Sequence, residues 1–319
     1  APDKDFGPRG GLGEVSIFLG PLTSESASAT YVHSDVEFES LGTHVIDAGQ
    51  VTGLETHAVA ASFSNPSGLD GVVLFDVGAL PSDAKWKLRF LGMGSSDGFG
   101  QAMDVADYNG DGFDDMVIGA PSAAMSTTED PSGDDMMSVE VMGGATGAVY
   151  VFTGPFSDVE MVEDASHSIF GAALNGGFGS ALSVAGDWDG DGHSDVLVGA
   201  PDAGDGEAYV VSLDGLATTG SVGSMMLARL TGPAGELGTS VSLAGDANGD
   251  GFADALVGAP TYEEASVTVG AAALFLGGLT GTLDGADALV IGTAANQYTG
   301  QSVGFLPGAG SVLDALAIG

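Results

Sequence analysis

The chain has 319 residues, no cysteine, and 44 acidic residues against 6 lysines and arginines, giving a formal net charge of −38. This charge argues against nucleic acid and anionic membranes as partners, because the chain has no basic patch to meet them. Without cysteine there is no disulfide framework, and no apolar run is long enough for membrane insertion. A hydrophobic content of 44% excludes wholesale disorder, and 54 glycines favour short strands joined by tight turns.

The first predicted elements are strands without an acidic loop. Gly13–Gly20 (GEVSIFLG) is a short β-branched run bounded by glycine, which is typical of a strand. Leu41–Ser64 aligns without a gap on the later stretch Phe178–Pro201, so it is predicted to keep the same two strands. The loop positions that hold aspartate in Phe178–Pro201 are Gln50, Thr52, Leu54 and Ala58 here. This loop is therefore expected to bind no ion.

Three full copies of one pattern follow, at Phe99–Pro121, Phe178–Pro201 and Leu237–Pro260. Each copy contains an apolar run, an acidic glycine-rich loop, a second apolar run, and Gly-Ala-Pro. Self-similarity at a period of roughly 60 residues indicates a repeat architecture.

Each acidic loop has the pattern Asp-x-(Asp/Asn)-x-Asp-Gly-x-x-Asp, which places side-chain oxygens at alternate positions of a tight turn. Such a set suits Ca²⁺, which takes six to eight oxygen ligands. An EF-hand is not expected, because Ile118, Val198 and Val257 stand where that motif has glutamate. Solvated acidic turns are the alternative, but three loops in one register favour three calcium sites. The predicted side-chain ligands are Asp107, Asn109, Asp111 and Asp115; Asp187, Asp189, Asp191 and Asp195; and Asp246, Asn248, Asp250 and Asp254. The predicted backbone carbonyl ligands are those of Phe113, His193 and Phe252.

Two further strands are predicted after each loop, so that the repeating unit is a four-stranded meander with no amphipathic helix. The third strands are Gly71–Gly78, Gly147–Gly154, Gly206–Gly215 and Gly270–Gly277. The fourth strands are Trp86–Leu91, Ser166–Phe170, Met225–Thr231 and Asp287–Ile291. One repeat carries an insertion at Ser122–Gly144, which is either a partner-binding loop or a solvated one.

The two ends of the chain complement each other. Thr299–Gly319 is a degenerate first half of a repeat, in which Asp314 is interpreted as a vestige of the last ligand. The N-terminal residues supply a second half. We therefore expect one all-β domain over 1–319, a β-propeller of about five blades in which the two termini share one blade. A portion of a longer, seven-bladed propeller is the alternative. The expected repeats are 41–98, 99–177, 178–236, 237–298, and 299–319 completed by 1–40.

The Phe-Gly and Gly-Ala-Pro elements carry a family resemblance. Phe99-Gly100 with Gly119-Ala120-Pro121, and the matching residues of the next copy, resemble the FG-GAP repeats of the integrin α-subunit propeller and its bacterial relatives. The third copy has Leu237-Gly238 in place of Phe-Gly. The resemblance implies a β-propeller with calcium in the hairpin between the first two strands of a blade, on the twelve side chains given above.

These features favour an extracellular, calcium-binding interaction or adhesion module, or a surface-assembly subunit, whose partner is a protein or another copy of the chain. A carbohydrate-binding propeller, either lectin-like or accessory to a secreted hydrolase, is the alternative. An enzyme is not expected: Ser302 lies in a Gly-x-Ser-x-Gly pattern, but on a first strand with no strand-to-helix turn.

Overall fold

Short apolar runs after each acidic loop form the buried second strands of the sheets. A computed structural model of the chain describes residues 14–18, 29–33, 40–51, 57–64, 69–76, 88–95, 97–124, 144–156, 160–213, 219–306 and 314–319. In three repeats the second strand is Asp115–Ala120, Asp195–Ala200 or Asp254–Ala259, and every residue in it is buried. Aliphatic side chains suit this position, because the strand has a neighbour on each side and a packed sheet on each face.

The strands are numbered β1 to β25 along the chain, and four blades each contain four sequential strands in antiparallel order. The first blade contains β3 (Val45–Asp47), β4 (Ala58–Ser64), β5 (Leu69–Asp76) and β6 (Leu88–Ser95). The second contains β7 (Ala102–Ala106), β8 (Asp115–Ala120), β9 (Ala148–Phe152) and β11 (His167–Phe170). The third contains β12 (Ala181–Gly186), β13 (Asp195–Ala200), β14 (Glu207–Val211) and β16 (Met226–Thr231). The fourth contains β17 (Ser240–Gly245), β18 (Asp254–Ala259), β21 (Ala271–Phe275) and β23 (Ala288–Ile291).

Three blades gain a fifth strand, which the sequence did not indicate. In each case a short segment between the third and fourth strands of the following blade pairs in parallel with the outermost strand. This pairing covers backbone groups that would otherwise form an open sheet edge. The added strands are β10 (Glu160–Met161) on β6, β15 (Thr219–Ser221) on β11, and β22 (Gly281–Asp284) on β16.

The remaining described elements are hairpins and two short helical turns. One 3-10 turn spans Val162–Asp164 and one four-residue α-helix, α1, spans Val222–Met225. Within the described residues, no helix has the length and apolarity required to cross a membrane. The hairpin strands are β1 (Glu14–Phe18) with β2 (Ala29–His33), β19 (Glu263–Glu264) with β20 (Val267–Thr268), and β24 (Val303–Leu306) with β25 (Ala315–Ile318).

Adjacent blades pack face to face through separate apolar clusters, one between each consecutive pair. Their innermost strands β7, β12, β17 and β24 contact one another in succession. Hydrogen bonds join these strands: the Val184 amide donates to Asp104 Oδ2 at 2.8 Å, and the Leu243 amide to Ser183 Oγ at 3.0 Å. Sequential face-to-face packing of four-stranded meanders is the arrangement of a β-propeller, so the predicted fold class is confirmed.

The Phe-Gly and Gly-Ala-Pro motifs meet at these blade contacts. Phe178 is buried and its ring lies 5.7 Å from that of Tyr209 in an edge-to-face contact. Gly179 has φ +93°, and a Cβ there would lie 2.5 Å from the carbonyl oxygen of Ala148 in the preceding blade. A Cβ at Gly199 would likewise collide with the Gly238 carbonyl of the following blade. The motif glycines are therefore needed because two backbones approach closely at each junction.

The hairpins at the two ends of the chain pack against different blades. Val15 of β1 belongs to an apolar cluster with Phe63 and Phe75 of the first blade, whereas β24 contacts β17 of the fourth. The pairings of the described residues do not include one between these two hairpins. The shared closing blade and the domain limits 1–319 therefore remain predictions. Most of the Ser122–Gly144 insertion lies outside the described residues, as does Trp86.

Candidate metal loops

The three acidic loops occupy equivalent hairpins, between β7 and β8, β12 and β13, and β17 and β18. We name them loop 2 (residues 107–115), loop 3 (residues 187–195) and loop 4 (residues 246–254), after the blade that carries each. Each loop starts directly after an inner strand and ends on the first residue of the buried second strand. All three therefore lie at the same end of the propeller. They share a pattern of backbone hydrogen bonds to the first aspartate of the loop.

The first aspartate of each loop organises the glycine-rich turn. In loop 3, Asp187 Oδ1 accepts from the amides of Gly190 and Asp191, and its Oδ2 accepts from Gly192 at 2.9 Å. Asp107 and Asp246 accept from the corresponding amides of their own loops. Several backbone N–H groups thus converge on one side chain, so the first aspartate closes the turn of its loop.

The third and fifth positions distinguish loop 3 from its two neighbours. In loops 2 and 4 an asparagine amide donates to the next aspartate: Asn109 to Asp111 at 3.1 Å, and Asn248 to Asp250 at 2.8 Å. Loop 3 has Asp189 at this place, which offers no proton to Asp191. Loop 3 therefore has two carboxylates at these positions, where the other loops have an amide and a carboxylate. Loop 3 is the loop in which a cation would relieve the most repulsion.

The last aspartate of each loop is buried at the start of the second strand. Asp115 accepts from the amides of Tyr108 and Gly154, and Asp254 accepts from those of Ala247 and Gly277. Burial is the largest cause that raises the pKa of Asp115, to about 6, and it also raises the pKa of Asp254. These side chains are already satisfied by two backbone donors each.

Asp195 differs, because only one of its oxygens has a partner. Its Oδ2 accepts from the Trp188 amide at 2.8 Å, whereas its Oδ1 is buried with no hydrogen-bond partner. The residue is only 1% exposed. Burial, followed by the charges of Asp189, Asp191 and Asp187, raises its pKa to about 7. A buried carboxylate oxygen without a donor is unfavourable unless a cation or water reaches it.

The donor set of loop 3 fits a hard cation. Asp187, Asp189 and Asp195 each offer one carboxylate oxygen, and these oxygens lie within 4.8 Å of one another. All the ligands predicted for this loop are oxygens, as Ca²⁺ prefers. The amides of Phe113, His193 and Phe252 donate to the fifth-position aspartates of their loops. That bond places each of these three residues next to the fifth-position aspartate of its loop.

Among the described residues of the first blade, no such group is brought together. At the loop positions that it shares with loop 3, Gln50 and Ala58 replace the first and last aspartates. The hairpin is closed instead by backbone bonds between Ala48, Gly49 and Ala58. Asp47 lies 3.3 Å from His57, and both side chains are exposed.

Asp314 does not take the position of a last ligand. It is the residue before β25, and its carboxylate accepts from the Asp246 amide at 3.1 Å in the neighbouring blade. Asp114 makes the equivalent contact with the Gln50 amide of the first blade. The interpretation of Asp314 as a vestigial ligand is therefore wrong.

Two features of the third blade were missed from sequence, one in loop 3 and one at the opposite end of the blade. Trp188, between two predicted ligands, is fully buried and belongs to the cluster between the third and fourth blades. Glu207 in the third blade accepts hydrogen bonds from Arg229 and Tyr209. Burial alone would raise the pKa of Glu207, but these bonds outweigh it and the pKa is lowered. The sequence carries no local signal for a side-chain pair 22 residues apart.

Comparison with known proteins identifies the repeats. The profile described as FG-GAP repeat matches residues 99–152, 178–211 and 237–271. These three segments contain loops 2, 3 and 4 and their flanking strands.

Similar curated proteins are integrin α subunits. The chain is 33% identical to integrin alpha-PS5 of Drosophila melanogaster over 171 residues, which cover 52% of this chain and 15% of that protein. It is 30% identical to integrin alpha-5 of Xenopus laevis over 185 residues, or 56% of this chain and 16% of that protein. It is 37% identical to integrin alpha-IIb of Homo sapiens over 106 residues, or 33% of this chain and 9% of that protein. The chain thus spans about a seventh of the length of the first two.

Proposed function

Because the chain is a β-propeller with three FG-GAP repeats, we propose that it is a calcium-binding, non-catalytic interaction module that works outside the cell. In this proposal Ca²⁺ occupies loops 2, 3 and 4, one ion in each. The single observation that carries it is the unpartnered, buried Oδ1 of Asp195 beside two further carboxylates in loop 3.

The cation would act as a clip on the hairpin between the first and second strands. It would neutralise the carboxylates of each loop, whose mutual repulsion favours an open hairpin. Because those residues join the innermost strand to the buried second strand, a closed hairpin keeps the blade in register. An extracellular setting, where calcium is millimolar, would fill such sites even at modest affinity.

Calorimetric titration of the calcium-free protein tests this proposal. The expected stoichiometry is three ions per chain, and Asp191→Ala should remove one of them and lower the melting temperature in calcium. Asp111→Ala and Asp250→Ala should each remove one ion in the same way. An unchanged stoichiometry and melting temperature in Asp191→Ala would contradict the clip.

The interaction surface is proposed to lie on the end of the propeller opposite the loops. Connections between second and third strands and between blades meet at that end, because each antiparallel hairpin turns back there. Connecting segments on a rigid scaffold are where binding residues concentrate. The Ser122–Gly144 insertion belongs to one of these connections, and we assign it to contacts with a protein partner or a second copy of the chain.

Sedimentation of the full chain with and without that insertion, in calcium, tests self-assembly. A change from oligomer to monomer when the insertion is removed would support its role. An unchanged oligomeric state, together with an intact melting transition, would contradict it.

Carbohydrate binding is the second candidate function, and one cavity favours it. A cavity of about 520 Å³ is lined by Tyr262, Tyr298, Glu263 and Thr268, with Gly235 and Thr261. Tyrosine rings and hydroxyl or carboxylate oxygens are suited to the apolar faces and hydroxyl groups of a sugar. A glycan array with wild type and Tyr298→Ala tests it. Retention of every glycan signal by the variant would remove this candidate.

The closing blade is part of the proposal as well. The β1–β2 hairpin, packed on the first blade, would add its strands to β24 and β25, packed on the fourth. A ring of five blades would then have no open end. An experimental structure of the calcium-loaded chain in which another segment pairs with β25 would contradict this closure.

A further inference from the structure

Loops 3 and 4 are joined by a continuous series of contacts across the blade boundary. From this geometry we infer that their two cations bind cooperatively, with Trp188 as the positioning residue that couples them. The inference rests on the proposed calcium binding, and concerns how the ions depend on each other.

A chain of hydrogen bonds runs from the last aspartate of loop 3 to the last aspartate of loop 4. The Trp188 amide donates to Asp195 at 2.8 Å, and the Trp188 carbonyl accepts from the Gly278 amide at 2.7 Å. The Gly277 amide, one residue away, donates to Asp254 at 2.9 Å. The segment 277–279, which we call the bridging segment, therefore contacts both loops.

The Trp188 side chain anchors the same segment. Its indole Nε1 donates to the Leu279 carbonyl at 2.7 Å, and the ring is fully buried between the third and fourth blades. An indole with its one polar atom satisfied and no exposed surface has little freedom to move. Any shift of the loop 3 backbone at Trp188 is thus transmitted to the bridging segment.

A second contact joins the loops directly. The Ala253 amide of loop 4 donates to the carbonyl of Asp187, the first ligand of loop 3, at 2.8 Å. The ring of the preceding residue, Phe252, lies over Gly190, where an added Cβ would be 2.6 Å from its Cε1. Phe252 and Ala253, which lie between two predicted ligands of loop 4, therefore contact the turn that carries the predicted ligands of loop 3.

Loop 2 provides an internal control for this coupling. The glycine of loop 2 that corresponds to Gly190 is Gly110, and a Cβ there would meet nothing within 4 Å. Loop 2 is thus not covered by an aromatic ring from loop 3. On its other side, loop 2 faces the first-blade hairpin, which carries no metal-binding aspartates. An ion in loop 2 is expected to bind independently.

The coupling follows from shared order. An ion in loop 4 fixes Asp254, the bridging segment and Phe252, and so pre-orders the loop 3 turn against which they pack. The second ion then meets a loop that has already lost part of its conformational freedom. Reciprocity requires that an ion in loop 3 favours binding in loop 4 by the same factor.

Fluorescence of Trp188 provides a local readout of loop 3. Trp86→Phe leaves Trp188 as the one tryptophan, since the chain has 2. In this background we measure the calcium concentration at the midpoint of the Trp188 fluorescence change. We expect Asp250→Ala, which removes a predicted ligand of loop 4, to raise this midpoint concentration roughly 5- to 50-fold. Asp111→Ala, the matched change in loop 2, should alter it less than about twofold.

A second pair of variants leaves every predicted ligand side chain in place. Phe252→Ala removes the ring that covers Gly190. It is expected to raise the calcium concentration at the midpoint of the Trp188 fluorescence change at least about threefold. Phe113→Ala is its control, because Phe113 holds the same place in loop 2. Circular dichroism and the melting temperature establish that each variant is folded.

The results separate the coupling from calcium binding itself. One outcome is that calorimetry shows three ions while Asp250→Ala and Phe252→Ala change the calcium midpoint of Trp188 fluorescence no more than their controls do. That result overturns cooperativity and leaves the proposed function standing. If calorimetry shows no calcium binding to the wild-type chain, the proposed function is overturned, and the coupling with it.

Discussion

The first-blade hairpin and the loop 3 hairpin join the first and second strands of their blades, but their described residues are held by different contacts. In the first blade, the Ala48 amide donates to the Ala58 carbonyl at 2.8 Å, and the Ala58 amide to the Gly49 carbonyl at 2.9 Å. Ala58 is buried without a polar side chain to satisfy. In loop 3, a buried aspartate takes that position and leaves one oxygen without a partner. At this position the described residues of the first blade are joined by backbone bonds alone, whereas loop 3 has a buried carboxylate with one unpartnered oxygen.

Calcium binding should produce the largest difference in stability between the first-blade hairpin and the loop 3 hairpin. An ion at a hundredfold its dissociation constant adds about 2.7 kcal/mol per site, so three sites add about 8 kcal/mol to the free energy of unfolding. Hydrogen exchange should show calcium-dependent protection of the β12–β13 amides and little change at Ala48 and Ala58. Equal protection of both hairpins by calcium would break the comparison.

A pH titration in the absence of calcium should give the next largest effect. The pKa of Asp195 is raised to about 7 and that of Asp115 to about 6, so the folded protein holds protons that the unfolded chain releases near pH 4. Stability from these groups is fully present below pH 4 and declines as pH rises through 6 and 7. We expect a loss on the order of 2 kcal/mol between pH 5 and 7.5.

Excess calcium should reverse most of that loss, because it binds the ionised carboxylates. Chemical denaturation at the two pH values, with and without calcium, measures the change. The first-blade loop has no buried carboxylate at this position. Asp195→Ala, which gives loop 3 the residue found there, should accordingly flatten part of the calcium-free pH dependence.

Replacing the last aspartate sharpens the comparison within the acidic loops. Without calcium, Asp254→Ala leaves two amides without acceptors, the half-buried one of Ala247 and the buried one of Gly277. Asp195→Ala leaves one such amide, that of Trp188, and also removes the unpartnered oxygen. Asp195→Ala should therefore be less destabilising, by about 1–2 kcal/mol. Equal losses of stability in calcium-free denaturation would show that Asp195 is satisfied in solution.

Much of the fold was predictable because it repeats. The third and fourth strands agree with the sequence prediction to within a few residues at their ends, as at Met226–Thr231 against Met225–Thr231. The added parallel strands were not predictable, because Glu160–Met161 is two residues long and shows no alternation. Its conformation is imposed by the neighbouring blade, which offers an open edge.

The site divides in the same way. Loop spacing selected three aspartates that converge in loop 3, Asp187, Asp189 and Asp195, since alternate positions of a tight turn face one side. Loop spacing could not distinguish Asp195 from Asp254. Their difference depends on whether a backbone amide just after the third strand of the same blade reaches the carboxylate. Nor could it place Trp188 in the contact between blades, which depends on residues about 90 positions away such as Leu279.

A single exchange at the third loop position gives the smallest expected effect. Asp189→Asn would supply loop 3 with the amide that Asn109 and Asn248 use in the other loops, where it donates to the fifth-position aspartate. In the absence of calcium this new bond and the loss of one negative charge should stabilise the protein by about 0.5 kcal/mol, because the loop is largely exposed. Calcium affinity at loop 3 should fall severalfold, since ligand charge sets the strength of such sites. Asn248→Asp is the reciprocal change and should weaken the calcium-free protein while tightening loop 4. If both exchanges move calcium-free stability in the same direction, the asparagine bond is not what distinguishes the loops.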